Sequence, residues 1–468
     1  MYKNTFLRIA IALVITGLLP TTASAKEIVV KTIAALQSAI DKAAPGDVIS
    51  VAPGDYTTTA DIVIRNSGQF AEPITIAAQQ KGRTTMLGKG GFRIAGAYIV
   101  IRGFVFKHSS DKALTEPGSR FSRWTQNIFE TTGEGNYLSL MGSDHQVDYN
   151  TFQHKNSLGK FIGVRGEGSQ IAERLWIHHN YFFDFLPQTG NGAEAVQFGL
   201  SGYSLSSSHS LFENNLFEQC AGENELLSVK ASFVTIRYNT IRDCKAQFTL
   251  RHGNHCEVYG NYFCRTPGLR IFGDDHIIHS NYFEQCKPAI NIGNGGAEVA
   301  DGADVRSHDR PDRVLIAFNT LVDNEENITR TERPKGIGST HITIAYNIIQ
   351  GGGEAVSIQG PLYIQPVWKG NILFKTKGAG QLPDTAFRQI DPLLARDGAG
   401  IYHLQKGSPA IGAVAKDDFR GITVDMDGQL RKAPFDAGAD QLSTTAVKAR
   451  VLQKADVGHE AAMRSGDK

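Results

Sequence analysis

Val147-Asp148-Tyr149-Asn150-Thr151-Phe152 and Ile177-His178-His179-Asn180-Tyr181-Phe182 are two copies of one phrase: alternating apolar residues, an Asn, then an aromatic or aliphatic pair. The phrase returns at Asn215-Leu216-Phe217, Asn239-Thr240-Ile241, Asn261-Tyr262-Phe263 and Asn281-Tyr282-Phe283. Later copies are Asn319-Thr320-Leu321, Asn347-Ile348-Ile349 and Asn371-Ile372-Leu373. Successive Asn residues stand 30, 35, 24, 22, 20, 38, 28 and 24 residues apart. A basic period near 22 with variable insertions fits an all-β fold, the right-handed parallel β-helix. Each rung of that solenoid holds three short strands, and insertions leave it as loops. Asn suits a tight corner because it tolerates the left-handed conformation, and its amide can bond its equivalents one rung away. Cys220, Cys244 and Cys286 each follow a ladder Asn by 5 residues, so they are predicted to stack inside the coil. A propeller would need blades of about 40 residues and a leucine-rich repeat its Leu spacing; neither pattern is present.

The ends of the chain support this reading. A solenoid needs caps over its terminal rungs. Thr32 to Ala44 is predicted to be an amphipathic helix with Ile33, Leu36 and Ile40 on one face, stopped by Pro45-Gly46-Asp47. Val48-Ile49-Ser50-Val51 would then begin the first strand. Residues 1–25 read as an export signal: Lys3 and Arg8, an apolar run from Ile9 to Leu19, and Ala23-Ser24-Ala25 for cleavage. The protein is therefore expected to be exported, to the periplasm or beyond. The β-helix would occupy residues 26–442, and residues 443–468 are expected to be a polar tail of low order.

Composition narrows the function. Of 468 residues, 48 are Lys or Arg and 47 Asp or Glu, so no basic excess marks a nucleic-acid surface. Apolar residues make up 41%, enough for a core. With 49 Gly and 25 Phe against 5 Met, the chain leans towards turn-rich β structure. No stretch has the 18 apolar residues of a membrane span. The 5 Cys are an odd number without a C-x-x-C, so core packing is preferred over a disulfide framework or a metal site.

The densest cluster of unusual residues runs from Asn191-Gly192-Ala193-Glu194 through Gly222-Glu223-Asn224-Glu225 to Lys230, then Leu250-Arg251-His252-Gly253-Asn254 and Arg270. On a strand, Glu223 and Glu225 would face the same way. Two such anions are tolerable if solvated, paired with cations or bound to a hard metal; with an oxygen from Asn191 they make a donor set that Ca²⁺ prefers. Alone, the spacing also suits a solvated strand face. Lys230 and Arg251 stand 21 residues apart, and Arg251 and Arg270 stand 19 apart, each near one rung. They are predicted to form a short column of cations, for which a surface charge ladder is the plain alternative. The sharper reading is β-elimination on a uronate polymer. Ca²⁺ would stabilise the carbanion beside the sugar carboxylate, and a neutral Lys230 would take the proton. The metal and Arg251 would favour that neutral form.

At these residues the sequence resembles polysaccharide lyase family 6, which contains alginate lyases and chondroitinase B. The likeness runs from the N-terminal helix to Asp436-Ala437-Gly438-Ala439-Asp440 and rests on Glu223-Asn224-Glu225, Lys230 and Leu250-Arg251-His252-Gly253-Asn254. It implies that Asn191, Glu223 and Glu225 hold Ca²⁺, that Lys230 is the base and that Arg251 serves as the acid. Because Arg keeps its proton in proteins, Arg251 is better suited to stabilising developing charge or aligning a water. The resemblance also implies that His252 and Arg270 hold flanking sugar carboxylates, although on a regular strand His252 would point away from Arg251. Gln197 stands where a positive residue is expected, which alters one substrate subsite, and Glu194 can replace or supplement Asn191. The expected substrate is an acidic polysaccharide: alginate, since sulfate recognition should call for more basic residues, with dermatan sulfate as the alternative. A hydrolase with paired carboxylates and a non-catalytic polysaccharide-binding solenoid are the competing classes. Oligomeric state is not encoded in any of these patterns.

Overall fold

Apolar residues at every second position in three-residue runs give short strands that bury one face. A computed structural model describes residues 25–361, 364–415 and 421–463; apart from Ala25, the export signal lies outside them. The strands stack into three parallel sheets of 14, 13 and 14 members, each pairing with its equivalent one rung on. The result is the parallel β-helix anticipated from the repeat. The first sheet starts at Glu27–Val30, a strand earlier than Val48–Val51, with which it pairs. The second, which carries the site described below, starts at Ile62–Ile64 and the third at Gly54–Thr58.

Inside the coil, like stacks on like. Phe129, Phe152, Phe182 and Phe217 form a column with centroids 4.6, 5.2 and 4.5 Å apart, each contact adding roughly 0.5–1.5 kcal/mol beyond simple burial. Cys220, Cys244 and Cys286 lie in the same core as predicted, and all five cysteines are free and buried.

The Asn ladder is present and begins one rung earlier than the sequence reading placed it, at Asn127. From there to Asn371 each side-chain amide donates to the next Asn Oδ1 at 2.9–3.1 Å, and every ladder Asn is fully buried. The left-handed residue is not the Asn. It is the residue before it, as at Tyr149, His179, Tyr238, Ser280 and Tyr346, with φ of 52–55°. The amide then bonds between rungs and also donates to the carbonyl two residues back, closing its own corner, as Asn150 does to Asp148 and Asn180 to His178.

The predicted cap forms as Ile33–Lys42, with Thr32 as N-cap and Leu36 and Ile40 buried. Gln37 exchanges hydrogen bonds with the backbone of Val63, and Asn66 Nδ2 donates to the last carbonyls of the helix, so both satisfy the open end of the coil. Among the described residues no helix is long and apolar enough to cross a membrane.

The C-terminal segment departs from its prediction. After Phe387–Gln389 the chain leaves the coil, forms the antiparallel hairpin Leu394–Arg396 and Tyr402–Leu404, and runs back along the third sheet. Instead of a loose tail, residues 443–463 are a strap. Leu452 is 1% exposed and its N–H donates to Thr240 Oγ1, Gly458 N–H donates to the His179 carbonyl, and His459 meets Thr151. A polar composition concealed this because the only buried apolar residues of the strap are Ala449, Leu452, Val457 and Ala461, spaced 3–5 residues apart.

Candidate active site

The second sheet presents one row inward and the next outward. Phe198, Val229, Leu250, Ile271 and Ile292 stack in the core, while Gln197, Ser228, Thr249, Arg270 and Asn291 form the matching outer row. Above that row lies an open cleft of about 380 Å³. Six of the seven predicted site residues line it: Asn191, Glu223, Glu225, Lys230, Arg251 and Arg270, joined by Glu194, Asn224 and His308.

The cations are brought together, but not as a single column. Lys230 pairs in register with His252, and Arg270 pairs with Thr249, two residues short of Arg251. The cause is a bulge: pairing jumps from Val229–Leu250 to Lys230–His252 and leaves Arg251 as the extra residue. It also turns His252 to the side that Lys230 faces, against the strict alternation expected of a strand. Glu223 likewise precedes the strand Glu225–Lys230 instead of lying on it.

Each charge has defined partners. Lys230 Nζ lies 3.5 Å from Glu194 Oε1, and Lys160 Nζ lies 3.4 Å from Oε2 of the same carboxylate. Gln197 Nε2 donates to Glu194 at 2.5 Å, so the residue expected to be positive instead serves to anchor a carboxylate. Arg270 donates to Glu225, and Arg251 Nε lies 3.7 Å from it. Arg251 Nη1 donates to His252 Nε2 at 3.0 Å, which makes His252 a neutral acceptor with its proton on Nδ1. Burial, then Arg251 and Lys230, pushes this imidazole down to about 3. His308, held by Arg333 at 2.8 Å, is pushed to about 3 by burial and then by Arg251 and Arg333. His308 comes from the long insertion between Asn281 and Asn319, where Arg310 instead pairs with Glu298 and Arg306 is exposed. Lys160, from the rung just before Glu194, and Arg333, from beyond the long insertion, lie outside the stretch from Asn191 to Arg270 on which the sequence reading rested.

The carboxylates are crowded on one wall. Burial, then Glu194 and Glu225, pushes the Glu223 carboxyl up to about 7. Buried Glu194 Oε2 accepts no hydrogen bond among the described residues and is met by the Lys160 ammonium at 3.4 Å. Crowded carboxylate oxygens with an Asn side-chain carbonyl beside them are a donor set that fits a hard dication.

The fold and this cleft define a solenoid protein with an ionisable groove on one sheet. Residues 30–332 match the chondroitinase B family model, and the chain belongs to that family, polysaccharide lyase family 6. Among solved structures it aligns with the PL6 alginate lyase AlyGC at TM-score 0.71 and 25% identity, over 81% of this chain and 55% of that one. A PL6 alginate lyase complexed with a trisaccharide aligns at TM-score 0.69 and 20% identity, over 94% and 96%. The PL6 polysaccharide lyase from Pseudopedobacter saltans aligns at 0.64 and 17%, over 93% and 100%. The chain thus spans little more than half of AlyGC. No curated protein sequence matches it.

Proposed function

We propose that this protein is a lyase that cleaves a uronate polymer, alginate, by Ca²⁺-assisted β-elimination. The reading is carried by one observation: Lys230, two arginines and a wall of carboxylates converge on an open cleft over the second sheet. A pore or closed pocket would not admit a chain, whereas an open groove does.

Asn191, Glu223 and Glu225, with Glu194 beside them, would hold the cation. Bound there, Ca²⁺ would neutralise the uronate carboxylate and so acidify the neighbouring C5–H. Lys230, as the neutral amine, takes the C5 proton. The C5–H electron pair forms the C4=C5 double bond as the C4–O4 bond breaks, and the departing oxygen gains a proton from water. Arg251, fixed by His252 and Glu225, is placed to stabilise charge and align that water. Arg270 lies in the floor of the groove and is suited to a flanking carboxylate. His252 is suited to orienting Arg251.

The test follows ultraviolet absorbance of the unsaturated product on polymannuronate, polyguluronate, mixed alginate and dermatan sulfate, with and without a calcium chelator. Growth on an alginate that chelator abolishes is the expected result. Growth on dermatan sulfate alone would keep the mechanism and replace the substrate. Cleavage without a new double bond would point to hydrolysis, and binding without turnover to a carbohydrate-binding module.

A further inference from the structure

Where the strap begins, a second cluster lies on the outer face of the third sheet, away from the groove. His403, on the hairpin strand Tyr402–Leu404, meets Asp427 and Asp440 from the returning chain. Its Nδ1 stands 3.6 Å from Asp427 Oδ2 and 3.6 Å from Asp440 Oδ2, and all three ligand atoms lie within 4.8 Å of one another.

These separations are too long for hydrogen bonds. They match two donors of one small metal ion: bonds of about 2.0–2.1 Å at a tetrahedral angle place neighbouring donors roughly 3.4 Å apart. The surrounding bonds hold the donors in place. Tyr262 OH donates to Asp427 Oδ1 at 3.1 Å, and Leu404 N–H donates to Asp440 Oδ2 at 2.7 Å. Asp427 is 6% exposed, and its Oδ2, aimed at His403, accepts no hydrogen bond among the described residues. On the far side of the ring, His403 Nε2 lies 3.4 Å from Asp397 Oδ2, an ion-pair contact that puts a carboxylate on the side where a ligating His is commonly backed.

We propose that His403, Asp427 and Asp440 bind a divalent transition-metal ion of the Zn²⁺ type. An imidazole nitrogen with two carboxylate oxygens is a small mixed set that suits Zn²⁺ better than the all-oxygen shell of Ca²⁺. The ion would clip the hairpin to the returning chain and, through Tyr262, to the coil. The site is structural and independent of the groove.

The experiment uses the untagged, full-length protein, stripped by chelator and titrated with Zn²⁺ by calorimetry, with elemental analysis after gel filtration. One retained equivalent per chain is expected, accompanied by a rise in unfolding temperature. Both should be lost in His403→Ala and in Asp440→Asn and kept in Glu223→Gln, which alters only the groove. Asp397→Asn should weaken Zn²⁺ by roughly 10–100-fold, the usual cost of removing a backing carboxylate. If His403→Ala is poorly folded, Co²⁺ in the unaltered protein supplies a second readout, since a tetrahedral site gives an intense visible spectrum. Equal Zn²⁺ binding by wild type and the His403 and Asp440 variants would overturn the proposal. So would absence of retained Zn²⁺ and of that spectrum, which would leave His403 as an imidazolium between carboxylates.

Discussion

Lys230 Nζ and Glu194 Oε1 face each other across 3.5 Å at the head of the groove, and Lys160 takes the other oxygen of the same carboxylate. The candidate base is thus held by a buried anion that is itself anchored from behind. Replacing Lys230 with Ala should reduce product formation by roughly 10²–10⁴-fold, the range of a general base. The unfolding midpoint should move little, because Lys160 and Gln197 still satisfy Glu194. An active Lys230→Ala enzyme would remove this residue from the mechanism.

Glu223 tests the metal wall. Its carboxyl is pushed up to about 7, so above that pH the metal-free protein carries an ionised group that folding disfavours. At pH near 8 with chelator, Glu223→Gln should be more stable than wild type. Added Ca²⁺ should reverse the order, raising the wild-type midpoint and scarcely moving the variant. Thermal scans under the two conditions decide it; identical responses to Ca²⁺ would detach Glu223 from the cation.

Two histidines set an acid limit. His145 and His276 occupy matching turns: Nδ1 accepts from Ser122 or Cys256 N–H, and Nε2–H donates to the Met141 or Phe272 carbonyl. Burial pushes both to about 4, below the unfolded value of about 6.5. A lowered His pKa means the unfolded chain binds more protons between those values. Stability is therefore retained above pH 6.5 and falls as pH drops towards 4, by at most about 3 kcal/mol for each group. Urea unfolding at several pH values should show this loss, with a shallower slope in His276→Gln. A slope unchanged by that substitution would contradict it.

The ladder is a second source of fragility. Asn239 donates to Asn261 Oδ1 and the Phe212 carbonyl and accepts from Asn215. Asn239→Leu leaves buried partners on both sides without a bond and should cost about 3–5 kcal/mol, since each orphaned group costs about 1–3 kcal/mol. Chemical denaturation measures it directly; a loss under 1 kcal/mol would mean that water replaces the amide.

Leu452 reports on the strap. It packs with Tyr181, Leu216 and Val457, so Leu452→Ala should cost about 2–4 kcal/mol. An exposed tail residue would cost almost nothing, and the same denaturation curves distinguish the two.

The coil was legible because its corner phrase recurs around a fixed Asn, and the cleft because carboxylates and cations recur near one rung. Asn127 was missed although Gln126-Asn127-Ile128-Phe129 repeats the phrase, because the strand before it, Arg123–Thr125, lacks clear alternation. The bulge at Arg251 was hidden for a different reason. Rung spacing gives the distance along the chain but not which residue drops out of register, and that decides where Arg251, His252 and Arg270 point. His403, Asp427 and Asp440 lie far apart in sequence and meet only because the chain turns back.

That return has a consequence for how the molecule comes apart and comes together. A solenoid whose units touch only their neighbours can fray from either end. Here one segment bonds to Tyr346, Thr240, His179 and Thr151 in turn, and the Lys81 ammonium donates to its His459 carbonyl, so rungs far apart are tied by a single thread. Opening any rung along that path strips contacts from the others, which should turn gradual fraying into one cooperative event. Because that segment follows every rung in chain order, it can fasten the coil only after the rungs it ties have been made.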